Sequence, residues 1–302
     1  MARICSAIGL LVTLLAAGMP AQAQTTLRYK FKPGDKLQYV LQQKIDISNG
    51  VMGQELVIKI DQTMDFSWQV KSVAANGDAK LVQTFDRIRF HLEGPGGKTD
   101  YDSKNGTASS DPAGQSLGNL FNAMVGSEFG LTMNRRGEIS QVTIPDKLKE
   151  ALKNAPGSGN LGMDILSEDG FKRLTSQSGV VFPEEPAAKG KSWSRKNDFE
   201  MGMIGKVITR VDYTDGGSVA RDGKNLEKLT TKTKLTYALD ENASVTMKIK
   251  DQDIQGTILF DNQAGRIVES KLTQNLSQEI GVMRNEIDQK INQTMTMKLV
   301  EK

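Results

Sequence analysis

GVMGQELVIKIDQTM, residues 50–64, is matched by GVMRNEIDQKINQTM, residues 281–295, with nine of fifteen positions identical and no gap. How this pair is read decides the fold. From Leu56 to Val70 the even positions are Leu, Ile, Ile, Gln, Met, Phe, Trp and Val, whereas the odd positions apart from Val57 are polar. Alternation with period two describes a strand that buries one face and wets the other. In the second copy Ile287, Ile291, Met295, Met297 and Leu299 keep the same phase. Phase matters because a slip of one residue would turn every side chain to the opposite face. The residues common to both copies divide between the faces, Ile60 and Met64 on one, Lys59 and Thr63 on the other. The repeat therefore reports a duplicated strand and no shared reactive group.

Each copy follows another extended segment, 37–47 or 267–280, begun after Gly34 or Gly265. Two long hairpins result, turning near 50–52 and 281–283. Asn76-Gly77-Asp78 is a turn before a strand over 79–92. In that strand Leu81 and Phe85 share one parity while Ile88, Phe90 and Leu92 share the other, which predicts a bulge near Asp86. Asn134-Arg135-Arg136-Gly137 joins strands at 129–133 and 138–144, and the stretches 235–239, 245–249 and 254–260 alternate cleanly. Helical spacing occurs near 116–126, and Pro145 suits the start of a second helix over 146–154. A weaker helical stretch from Leu161 to about Ser176 is expected to break at Gly170. Residues 94–115 read as a long loop with a short strand near Tyr101. A fainter similarity joins 31–37 to 187–193, two lysine- and glycine-containing leads into a strand.

The expected fold is mainly β (α+β): long antiparallel strands in a strongly curved sheet, a half-barrel or open barrel, with a few central helices. The chain divides into an N-terminal β-rich half over 24–155, a helical connector over 156–180 and a C-terminal β-rich half over 181–302. The strong repeat pairs the first hairpin with the last and the faint one pairs the halves in order. A single closed sheet built from both halves reconciles them.

Arg3, the apolar run 4–17, the break at Gly18-Met19-Pro20 and the small-x-small sequence Ala21-Gln22-Ala23 fit a secretory signal peptide over 1–23. That run is shorter than the ~20 residues a bilayer demands, so the expected protein is exported, periplasmic or secreted, with no spanning segment after cleavage. Cys5, the one cysteine, lies within the leader, and a mature chain without thiols has no disulfide and no cysteine metal site. The 39 Lys+Arg against 36 Asp+Glu are scattered, without the basic stripe and interleaved aromatics of a nucleic-acid surface.

Little in the sequence suggests catalysis. His91 is the one histidine and stands beside Arg87 and Arg89 on one face of its strand; no Gly-x-Ser-x-Gly elbow accompanies it. Glu184-Glu185, Asp251-x-Asp253 and Asp240-Glu241 are carboxylate pairs at loop or strand ends, where solvated acids are common. Asp251-x-Asp253 lacks the glycine and closing glutamate of a calcium loop. No catalytic residue, metal ligand or cofactor is assigned. Among 13 methionines, several fall on inward faces. Flexible thioethers suit an adaptable apolar cavity as well as an ordinary core. The candidate cavity lining is Ile60, Met64, Phe66, Trp68, Met247, Met295 and Met297.

Residues 31–39 (FKPGDKLQY), Val70-Lys71-Ser72-Val73 with Asn76-Gly77, and Tyr101-Asp102-Ser103 resemble an uncharacterised family of exported, β-rich bacterial proteins of planctomycete type. So do residues 129–133 (FGLTM) with Gly137-Glu138-Ile139, and Phe182-Pro183 ahead of Gly190-Lys191-Ser192-Trp193. That family carries no assigned activity. The alternation of long strands with few helices is loosely similar to the half-barrels of periplasmic lipoprotein carriers. These readings imply a non-catalytic envelope protein that binds a lipid or other hydrophobic or amphipathic molecule. The alternatives are a structural or adaptor protein that binds an envelope protein and, more distantly, a carboxylate-dependent hydrolase.

Overall fold

A computed structural model describes residues 26–51, 53–105, 112–153, 168–177, 179–186, 189–200, 205–240, 243, 245–282 and 285–300. The expected leader and much of the 156–180 connector lie outside them. In chain order the strands are β1 (Lys36–Val51), β2 (Gln54–Val73), β3 (Ala79–Gly94), β4 (Gly97–Asp102), β5 (Glu128–Met133) and β6 (Ile139–Thr143). After the central helices come β7 (Ser192–Glu200), β8 (Gly205–Arg221), β9 (Lys224–Leu239), β10 (Val245–Asp261), β11 (Arg266–Val282) and β12 (Asn285–Leu299). The helices are α1 (Pro112–Met124), α2 (Asp146–Lys153) and α3 (Glu168–Gln177).

All twelve strands form one antiparallel sheet in the order β6-β5-β3-β2-β1-β12-β11-β10-β9-β8-β7, with β4 added to β3. The two hairpins of the repeat meet at its centre. β1 lies between the two copies, pairing Ile47 with Ile58 on one side and with Ile291 on the other. One middle strand thus presents its apolar face to two nearly identical neighbours, which is the structural meaning of the duplication. The sheet ends at β6 and β7 and does not close, so the expected single closed sheet is corrected to a single open one. The β2–β3 register shifts between Asp65 and Phe66, skipping Asp86 at the expected bulge.

Two local expectations are corrected. α3 runs through Gly170, which is buried, where a break was expected. In the 94–115 stretch β4 is the short strand expected near Tyr101, whereas α1 already begins at Pro112, where loop was expected. Asp215-Gly216-Gly217 has the composition of a turn yet lies inside β8 as a bulge. There the Asp215 carboxylate accepts a hydrogen bond from the Gly217 N–H at 2.7 Å, which satisfies a donor the ladder has lost.

One end of the sheet is shut by a hydrophobic seam. Tyr29, Phe182 and Phe260 are at most 3% exposed, and Phe182 and Phe260 meet edge-on at 4.7 Å. The N-terminal segment joins the two sides of the sheet through its backbone. The Tyr29 N–H donates to Arg135 O in the β5–β6 turn, and the Lys30 N–H donates to Gly265 O in the β10–β11 turn. Phe182 N–H likewise donates to Arg136 O. Both turns require glycine at the point of contact. Gly137 and Gly265 have φ of 94° and 68°, and a Cβ would lie 2.3 Å from Val180 O or from Lys30 N respectively. Farther along the β1 side the core continues through Phe85, Phe129 and Phe171 of α3, the last two stacked at 4.6 Å.

Candidate functional site

The other half of the sheet, β7 to β12, is not packed solid. A cavity of about 710 Å³ lies on its concave face, lined also by Lys172 of α3 and by Gly179. That volume falls within the range of ~300–1,000 Å³ usual for small-molecule sites. Register explains its lining. The Val211–Thr233 and Thr233–Ile254 pairs place three strands' side chains in one row, which Gln274 and Gln293 continue through the next two pairings. Val211, Leu235, Ile254, Ile258 and Leu272 give the cavity an apolar floor, and Thr209, Thr231, Thr233, Ser270, Gln274 and Gln293 insert polar groups into it.

The wall at the sheet edge comes from β7, where Trp193, Arg195, Asn197 and Phe199 alternate with exposed Ser194, Lys196, Asp198 and Glu200. Trp193 stacks on Tyr213 at 5.3 Å and donates its indole N–H to Val181 O at 2.9 Å, which fixes the wall to the seam. Burial pushes the Tyr213 phenol above its ordinary pKa, and the nearby Arg195 charge opposes that rise. Arg195 donates from Nε to Asn197 Oδ1 at 3.0 Å.

The floor contains a fork. β9 pairs with β10 only from Thr233 with Ile254 to Glu227 with Phe260. Beyond that point β9 follows β8, and β10 follows β11. Gln252 closes the crotch of the fork, its amide N–H donating to Leu235 O and its amide oxygen accepting the Leu235 N–H. A side-chain chain spans the gap: Tyr237 Oη–H donates to Gln278 Oε1, Gln278 to Gln289, and Gln289 to Asn49. Gln278 is 3% exposed, so the bonds from Tyr237 and to Gln289 satisfy an amide hidden from water.

The sequence-derived lining sits elsewhere on the same face. Phe66, Trp68, Met295 and Met297 are buried, and Met64 packs against the core cluster. Ile60 and Met247 are half-buried toward the hairpin tips. None of the seven lines the cavity. Its wall was visible in the sequence only as the alternation Arg195-x-Asn197-x-Phe199, whose charged outer positions mask the pattern.

The sequence's chemical candidates take structural partners. His91 Nδ1 lies 2.6 Å from Asp100 Oδ1 on the opposite, convex face, beside Arg89–Asp65 and Arg87–Asp102 pairs. Hydrogen bonding to the Arg87 guanidinium holds the Asp102 carboxyl down to about 2. Glu184 pairs with Arg136 at 2.7 Å and Glu185 with Lys191 at 3.4 Å, all within solvent reach. Asp253 accepts from Gln255. No cluster of histidine or acidic residues among those described is arranged to hold a metal ion. No helix among them is long and apolar enough to cross a membrane.

Residues 76–299 match DUF6263, a family of unknown function. The chain belongs to this family. No curated protein matches it significantly. Among solved structures it is similar to lipovitellin, described for its lipid–protein interactions, at 11% identity and a TM-score of 0.46. The alignment covers 90% of this chain and 26% of the lipovitellin chain, so the DUF6263 protein spans about a quarter of that relative. A Bacteroides fragilis protein described as exported, with a YMCC-like fold, aligns over 90% of this chain and 97% of its own at 7% identity and a TM-score of 0.24. A DUF1329 family protein from Desulfovibrio piger aligns over 85% and 84% at 10% identity, with a TM-score of 0.14.

Proposed function

We propose that this DUF6263 protein is an exported, non-catalytic binding protein that holds a hydrophobic or amphipathic molecule in the cavity between α3 and strands β7–β12. The observation that carries this reading is the contrast within one concave face. The β1–β6 side is filled by its own aromatic side chains and helices, while the β7–β12 side keeps about 710 Å³ free above an apolar floor. A sheet whose inner face is apolar requires a cover, and a ligand supplies one where side chains do not. Export rests on the leader-like residues 1–23.

The test is binding of the neutral probe N-phenyl-1-naphthylamine, followed by its fluorescence. Saturable binding is expected, at one site per chain. It should weaken at least tenfold in the double variant Leu235→Gln, Leu272→Gln, which makes the half-buried floor polar without touching the seam. Absence of saturable binding by the folded wild type, or equal binding by the double variant, would overturn the proposal.

A further inference from the structure

We infer that the ligand is an amphipathic anion, its negative headgroup held by Arg195 and Lys172 and its apolar part laid on the β8–β11 floor. This rests on the binding function proposed above and adds the charge of the ligand to it.

Strand parity divides the charged residues around the cavity into an outward and an inward set. Lys196, Asp198 and Glu200 of β7 and Lys271 of β11 border the cavity, but they are exposed and have the outward parity of their strands; Glu200, for example, pairs with Lys206 at 2.8 Å. Arg195 shares its parity with Trp193, Asn197 and Phe199, and it is half-buried. Lys172 arrives from α3 on the other side of the space and is half-buried as well. Both inward charges are therefore positive. Neither forms an ion pair with a carboxylate among the described residues; Arg195 is engaged by the neutral Asn197 amide, which accepts only its Nε–H.

Arg195 and Lys172 thus set two positive charges on one cavity, and among the described residues no carboxylate lining it turns inward to balance them. A guanidinium keeps its charge at any pH the protein meets and offers a planar fork of donors that matches a carboxylate or phosphate. With Nε committed to Asn197, the two terminal nitrogens remain to take an oxyanion. A cationic amphiphile would add a third positive charge to the same space, and a neutral one would leave both cations uncompensated. The shared chemistry of the candidates is thus an oxyanion joined to an aliphatic or aromatic body, whether a fatty acid or a lipid phosphate.

Displacement of N-phenyl-1-naphthylamine by dodecanoate, dodecyl phosphate, dodecanol and dodecyltrimethylammonium tests this on the full mature chain. The expected order is anions first, with dodecanoate or dodecyl phosphate at least tenfold better than dodecanol and the cation weakest. Whichever anion leads names the headgroup. The double variant Arg195→Gln, Lys172→Gln should lose that tenfold preference by weakening dodecanoate far more than dodecanol, Arg195→Lys should keep most of it, and raised salt should shrink it.

Equal displacement by all four compounds would overturn the anion assignment while leaving the binding function standing. So would a variant that weakens dodecanol and dodecanoate alike, since the cations would then act only on cavity shape. Failure of the probe itself to bind would remove the underlying function. Circular dichroism of each variant separates loss of the fold from loss of the preference.

Discussion

The two ends of the central strands carry the same inward pattern and meet different fates. At the seam, Tyr39, Trp68 and Met297 are at most 6% exposed, packed with Phe66 and sealed by the segments 26–35 and 179–186. Toward the hairpin tips, Ile45, Ile47, Ile58, Ile60, Ile287 and Ile291 point to the same face yet stay half-exposed, and Leu56 and Val57 are 39% exposed. At the tips β1, β2, β11 and β12 form an unbroken ladder, with no helix among the described residues packed over it. Stability should therefore be concentrated at one end of continuous strands, with apolar surface left accessible at the other and in the cavity beside it.

That contrast makes unequal substitutions informative. Phe260→Ala should cost ~3–5 kcal/mol, because it removes a fully buried ring from the centre of the seam; chemical denaturation followed by near-ultraviolet circular dichroism measures it. Gly265→Ala should cost about 2–3 kcal/mol and release residues 26–31 to proteolysis, since a Cβ there meets the Lys30 backbone and the positive φ is strained besides. Tyr237→Phe should cost about 1–2 kcal/mol by leaving the Gln278 amide oxygen, hidden from water, without its donor across the fork. Ile58→Ala at the tips should cost about 1 kcal/mol, in proportion to its partial burial. If Ile58→Ala matched Phe260→Ala, the distinction between the two ends would fail.

The smallest effect expected is one of pH. The Asp102 carboxyl is held down to about 2, below its ordinary 3.8, by Arg87. Its contribution is therefore fully present above pH 3.8 and is lost as pH falls toward 2. An acid titration of stability should show a shallow loss in that window, and Asp102→Asn should remove it. A group on the convex face, away from the seam, should move stability little, and a large effect would place a structural role where the geometry shows only a surface pair.

Much of this fold was legible because period-two alternation survives wherever one face is wet. The repeat, the bulge at Asp86 and the Asn134–Gly137 turn all follow from parity and turn chemistry. Composition is no guide at Asp215-Gly216-Gly217, which has turn residues yet lies inside β8, where the bulge hydrogen bond keeps it in the strand. Helical propensity also misled at Gly170, where tertiary packing of α3 beside Phe171 overrides the local cost of glycine. The site was the least legible. Parity identifies which residues face inward but cannot say which of them are covered, since that depends on helices and segments distant in sequence. Phe66 and Trp68 have the composition of a cavity lining and are core; Leu235 and Leu272 look like ordinary strand residues and line the space.

Photo-crosslinking with a fatty acid carrying a diazirine on its chain tests the central claim most directly, with adducts mapped by peptide mass spectrometry. One saturable set of adducts is expected on β8–β11, centred on Val211, Leu235, Ile254 and Leu272, and suppressed by excess dodecanoate. Adducts confined to the hairpin tips around Ile47, Ile58 and Ile291, or scattered without saturation, would contradict it.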